Sequence, residues 1–114
     1  MSFVLISWVL FLHFVFDFMC QTDKMAINKS KSFKWLFTHT SVYSLMAFLV
    51  GLPFPLAIGF YLYLFVTHSI IDGITSRITS YLWVKEQRHW FFVTIGFDQW
   101  LHYVTIFWFL SKVI

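Results

Sequence analysis

Four long apolar runs organise the chain, separated by two polar, basic links and one tight apolar turn. Ser2 to Cys20 is almost unbroken apolar sequence, close to the roughly 20 residues that a membrane-spanning helix needs. Gln21 to Lys34 is polar, with Thr22-Asp23 and Asn28 as breakers, and leaves room for a short interfacial helix around Met25, Ala26 and Ile27. Trp35 to Val50 is the second run. Gly51-Leu52-Pro53-Phe54-Pro55 is a strong stop and turn. Leu56 to Ile71 is the third run, continuing helically toward Arg77; Ser76 to Arg88 reads as a mixed connection, and His89 to Leu110 is the fourth run. The pattern predicts an all-α fold: one integral membrane domain over residues 1–114, an up-down-up-down bundle of four transmembrane helices at about 2–20, 35–50, 56–77 and 89–110.

Composition strengthens the membrane reading. Of 114 residues, 60% are apolar, 24% aromatic and 11% charged, against about 25% charged in a soluble domain. The mean hydropathy is +0.76. Most basic residues fall in the two polar links: Lys24, Lys29, Lys31 and Lys34, then Arg77, Lys85 and Arg88. The positive-inside rule places both links in the cytoplasm and both termini outside, with Lys112 the one basic residue on the outer side. Tyr81, Trp83 and Trp90 suit a membrane interface. Short basic links flanked by spanning helices argue against nucleic-acid binding. The first run lacks the basic leader and small-residue cleavage site of a signal peptide. The single Cys20 excludes an internal disulfide.

Against this apolar background, three runs each carry a histidine and an aspartate four residues apart: His13/Asp17, His68/Asp72 and Asp98/His102. A lone His39 lies in the other run. In a helix, residues i and i+4 share one face, so each pair offers two ligands in one direction. At about 1.5 Å per residue, all these groups but the deeper His102 fall at similar depth in the cytoplasmic half. Each acid at mid-helix costs about 2.5–3.5 kcal/mol on insertion scales, and a divalent transition metal would offset that cost. Zinc comes first, with manganese and iron as alternatives. The ligand candidates are His13, Asp17, His39, His68, Asp72 and His102, with Asp98 as a general base. They are enough for one or two ions. Gln21 and Gln99 lie beside them, and Lys29 and Arg77 on the links are placed to hold an anionic group such as a lipid phosphate. His89, next to Arg88, reads as a solvated interfacial residue. Gly73, directly after Asp72, is a place where the third helix is expected to loosen. The repeated His-x-x-x-Asp of helices one and three suggests two related hairpins.

The ordered set HxxxDFxxQTDxMAxxK (His13 to Lys29), His39, HxxxD (His68 to Asp72) and DQxxH (Asp98 to His102) resembles a domain-of-unknown-function family of small polytopic membrane proteins of bacteria and their phages. More distantly, the paired HxxxD helices are similar to bacterial inner-membrane proteins described as metal-dependent hydrolases. The resemblance implies a bacterial inner-membrane location, phage origin being one possibility, and the same seven His and Asp residues as a polar core. The combined expectation is a metal-dependent hydrolase acting on a membrane-associated ester or phosphoester, with the lipid bilayer as its partner. The rivals are a metal-ion or proton transporter, a haem-binding electron carrier and a non-enzymatic phage envelope protein.

Overall fold

The computed structural model describes all residues, Met1–Ile114. It holds five helices and no strand. Helix α1 (Phe3–Phe14) starts on Ser2, whose side chain accepts a hydrogen bond from the Leu5 amide. It runs on as a π turn, Val15–Met19, closed by the Cys20 amide bonding to the Val15 carbonyl. Helix α2 (Asp23–Asn28) is the short helix of the first link, capped by the Thr22 side chain. Helix α3 (Phe33–Ser44) tightens into a 3-10 turn over Leu45–Leu49. Gly51 then takes φ +98, a left-handed conformation that favours glycine. Pro53 caps α4 (Phe54–Val84), and α5 spans Arg88–Val113.

Helix α4 is the longest element and sets the long dimension. At about 1.5 Å per residue its 31 residues extend about 46 Å, matching the 45 Å longest extent of the molecule. It does not end near Arg77 as the sequence pattern suggested. Ser76, Thr79, Ser80 and Trp83 share one face of it and line a cavity, so a polar helix face was read as a connection. The true stop carries no glycine or proline. The Glu86 amide bonds to the Trp83 carbonyl and the Gln87 amide to the Leu82 carbonyl, with Glu86 at φ 58. The expected loosening at Gly73 is absent, since α4 is continuous through it. Gly73 instead allows α3 to approach: a Cβ there would lie 3.3 Å from Leu36 Cδ2.

One helix, Phe54–Val84, is long and apolar enough to cross a membrane by itself. The expected set of four such helices is therefore not met. The apolar helix Phe3–Met19 is shorter, α3 loses regular α geometry after Ser44, and α5 is diluted by Asp98, Gln99 and His102.

The interior has two zones. At the end near the Gly51 turn, an apolar cluster packs Val9 and Leu12 of α1, Tyr43 and Met46 of α3 and its extension, Phe60 and Leu64 of α4, and Ile106 and Leu110 of α5. Phe60 and Phe109 stack there at 4.6 Å. The Trp8 indole N–H donates to the Leu49 carbonyl and ties α1 to the end of α3. Toward the two polar links the buried residues become polar: His13, Asp17, His39, His68, Asp72, Asp98 and His102, with Thr40, Thr75 and Ser76. At that end the Ser80 hydroxyl bonds the Ser30 hydroxyl at 2.8 Å, joining the first link to the end of α4.

The close approach at Gly73 gives a stability prediction. Gly73→Val adds bulk against Leu36 and should destabilise the protein by about 1–3 kcal/mol, read as a lowered thermal unfolding midpoint. An unchanged midpoint would mean that α3 and α4 are free to move apart there.

Candidate metal centre

The polar zone is assembled from four elements. The π turn after α1 supplies Asp17, α3 supplies His39, α4 supplies His68 and Asp72, and α5 supplies Asp98 and His102. The i+4 spacing works as its geometry requires: His68 Nε2 lies 3.2 Å from Asp72 Oδ2, and His102 Nε2 lies 3.3 Å from Asp98 Oδ1.

Two donor sets result. In the first, His39 Nε2 is 3.1 Å from His68 Nε2, 3.0 Å from Asp17 Oδ1 and 3.3 Å from Asp72 Oδ2. His68 Nε2 is 3.5 Å from Asp17 Oδ1. These separations approach the edges of one coordination tetrahedron, because bonds of about 2.0–2.1 Å place neighbouring ligands about 3.3 Å apart. The second set is Asp17, Asp98 and His102, whose donor atoms lie within 4.8 Å of one another. Asp17 belongs to both sets. Asp72 also faces both ways, with Oδ2 toward His39 and His68 and Oδ1 at 3.1 Å from His102 Nε2.

His13, expected as a ligand, stands outside both sets. Its Nδ1 is 2.8 Å from the Tyr43 hydroxyl and its Nε2 is 2.7 Å from Gln99 Oε1, leaving Asp17 Oδ2 at 3.5 Å. Wider π winding follows Phe14, so Asp17 is turned out of simple α register with His13. Asp98 is held at both oxygens: the Thr75 hydroxyl donates to Oδ1 and the Gln99 amide to Oδ2 at 3.0 Å. Gln99 thus joins His13 to Asp98. Gln21 lines the adjoining cavity with its buried amide oxygen unpartnered.

Of the two link cations singled out in the sequence, only Lys29 reaches the centre. Its Nζ donates to Asp72 Oδ2 at 2.9 Å. Burial by itself would lower the pKa of this ammonium, but the Asp72 carboxylate, with Asp17 behind it, outweighs burial and raises it. Arg77 lies on another face of α4, bonded to the Gly73 carbonyl and set 5.2 Å over the Phe33 ring. His89 is exposed.

Sequence reasoning missed Tyr43, Thr75 and Ser76. The Tyr43 ring stacks on His68 at 3.8 Å while its hydroxyl meets His13, and the His68 and His102 rings stack at 4.1 Å. A tyrosine, a threonine and a serine carry no ligand spacing, so the one available signal was their helical register with His39, His68 and Asp72.

The arrangement is that of an all-α protein with a buried His/Asp cluster able to hold a metal ion. The chain belongs to the family described as "Protein of unknown function (DUF3307)", whose model matches residues 4–114. No curated protein and no solved structure matches it.

Tyr43→Phe keeps the stacked ring and removes the hydroxyl, leaving His13 Nδ1 buried and unpaired. It should lower stability by about 1–3 kcal/mol, measured by thermal unfolding. No loss would show that the Tyr43–His13 bond is replaced by another partner.

Proposed function

We propose that this chain is an integral membrane metal-dependent hydrolase acting on a membrane-associated ester or phosphoester. The observation that carries the reading is the convergence of His39, His68, Asp17 and Asp72 at near-tetrahedral edge lengths, with Asp98 and His102 adjoining through the shared Asp17. The six acidic and imidazole groups of the two donor sets exceed the four ligands of a closed structural zinc site. A cation held by residues of the first set would supply the Lewis acidity that phosphoester hydrolysis uses, with Asp98 beside it as the base.

The membrane setting is supported by the outer surface. On α4, Ile58, Leu62, Val66, Ile70, Ile74 and Ile78 are all exposed at four-residue spacing. This stripe runs about 30 Å, the thickness of a bilayer hydrocarbon core. Val93, Phe97, Trp100, Val104 and Trp108 make a similar exposed stripe on α5, and Trp8, Phe11, Phe14 and Phe18 one on α1 and its π turn. Apolar side chains outside and charged ones inside reverse the usual distribution in water. In this reading the four longer helices lie in the membrane, with both basic links on the cytoplasmic side.

A bound divalent cation would polarise the ester and acidify water beside it. Asp98, oriented by Thr75 and Gln99, would accept the proton from the attacking water. Asp17 and Asp72 would hold charge balance, and the Tyr43–His13–Gln99 chain would fix Asp98 from behind. The apolar packing of Phe60, Leu64, Ile106 and Leu110 closes the other half of the bundle, which favours hydrolysis over a conducting path.

Protein purified in mild detergent should contain one or two transition-metal ions per chain by elemental analysis. His68→Ala should lower that content. Asp98→Asn should abolish turnover of ester and phosphoester substrates while the ion between His39 and His68 stays bound. Folded protein that holds no metal under any loading condition would overturn the reading.

Orientation is tested separately at Cys20, the one cysteine, placed at the end of the π turn and partly exposed. A membrane-impermeant thiol reagent should label it in inside-out vesicles and not in intact cells. Equal labelling from outside would reverse the proposed topology.

A further inference from the structure

Beside the metal centre lies a cavity of about 570 Å³, within the range that holds a small ligand. Its inner wall is the centre itself: Asp17, Asp72 and Asp98 line it. Four elements line it, namely the end of α1, the first link with α2, the link-end half of α4, and the first half of α5; α3 contributes nothing. Its chemistry is mixed. Its lining includes Lys29 and Lys31 and the hydroxyl-bearing Thr75, Ser76, Thr79 and Ser80. It also includes the apolar Phe91 and Ile95 of α5 and Phe18 and Ile27. Phe18 and Ile27 are themselves exposed at the rim.

Two polar atoms in this lining have no partner: the Ser76 hydroxyl, on a residue only 7% exposed, and the Gln21 amide oxygen. Buried polar groups are nearly always hydrogen-bonded, so the unpaired Ser76 hydroxyl beside two lysines points to a polar, anionic ligand, and the unpaired Gln21 oxygen to a hydrogen-bond donor on the same ligand. Lys29 remains able to take part, because an ammonium has three donors and the bond to Asp72 uses one. The neighbouring Asp17, Asp72 and Asp98 would repel an anion unless cations neutralise them, as the metal reading supplies. The apolar lining then needs its own occupant, and an alkyl chain leaving past Phe18 and Ile27 would enter the lipid layer in which the exposed stripes lie.

We propose that this cavity binds a phosphate ester carried on an apolar chain, with the phosphate at Lys29, Lys31 and Ser76 and the chain leaving between the end of α1 and α5. The proposal deepens the hydrolase reading by naming its substrate class, a lipid phosphate, and it rests on the membrane placement of the site. The phosphate end lies innermost, against the donor sets. The Gln21 oxygen accepts a hydrogen bond from a hydroxyl on the carbon skeleton next to the phosphate.

The test is a binding measurement that requires no turnover. Detergent-solubilised protein is titrated with three probes: oleoyl-lysophosphatidate, mono-oleoylglycerol and glycerol 3-phosphate. They present phosphate with chain, chain alone and phosphate alone. Lysophosphatidate should bind at least tenfold tighter than either of the others. Equal binding of mono-oleoylglycerol would overturn phosphate recognition, and equal binding of glycerol 3-phosphate would assign the cavity to a soluble phosphate ester and overturn the lipid.

Lys29→Met should weaken lysophosphatidate binding about tenfold or more, the scale of a lost charge-assisted hydrogen bond. Lys29 also pairs with Asp72, so Lys31→Met and Ser76→Ala provide variants that leave that pair intact. Each should weaken binding severalfold, and unchanged affinity in both would overturn the assignment. The titrations are run on chelator-washed and on zinc-restored protein. The preference should be strongest in the zinc-restored form, where the aspartates are neutralised, and its absence from both forms overturns the inference; zinc retention is measured separately by elemental analysis, so a failure of the metal reading remains distinguishable from a failure of the lipid reading.

Discussion

Three aspartates and four histidines buried in one cluster are the constraint on which the rest of the structure depends. An ion removed from water carries an effective penalty of several kcal/mol unless good geometry and further hydrogen bonds compensate it. No single helix here can supply that compensation. Asp17 finds its partners on α3 and α4, Asp72 on α3, α5 and the first link, and Asp98 on α4 and α5. The cluster therefore specifies how the helices are rotated. Their outer faces carry many exposed apolar residues, so apolar contact alone does not fix which face turns inward. The polar residues tell each helix which side is inside.

The apolar zone has the complementary role. Phe60, Leu64, Ile106 and Leu110 pack against Val9, Leu12 and Met46 with almost no exposure. Interiors packed in this way deform little, so the helix axes are fixed at one end and the donor atoms meet at the other. A site of this kind needs its ligands held to within about 0.5 Å. The Tyr43–His68–His102 stacking continues that rigidity into the polar zone, so Tyr43 belongs to both zones at once.

The sequence made the pairs within a helix legible and the contacts between helices much less so. His68/Asp72 and Asp98/His102 are close because residues four apart share a face, and that follows from period alone. Placing Lys29 beside Asp72 was also within reach, since both fall at the same end of the bundle. His13 falls outside the two donor sets after a π turn that leaves no trace in the apolar run Phe14–Met19. Arg77 was grouped with Lys29 by charge and depth, but depth does not fix the side of the helix, and Arg77 lies on another face. The short helix in the first link was anticipated around Met25–Ile27, and Met25 is its buried anchor.

The largest misreading, the end of α4, is also the feature with most functional consequence. Beyond Asp72 the helix runs on to Val84, about 18 Å further. Serine and threonine on that extension suggested a connection because they are poor helix formers in isolation. Within a bundle such a hydroxyl can bond back to the preceding turn, as that of Thr79 does to the Ser76 carbonyl, and the helix continues. A helix ending near Arg77 would leave the donor sets at the edge of the bundle, open to the link. The extra turns, held to the first link through Ser30 and Ser80, carry a hydroxyl-rich wall past the centre. They turn a buried cluster of His and Asp groups into one wall of a half-open cavity.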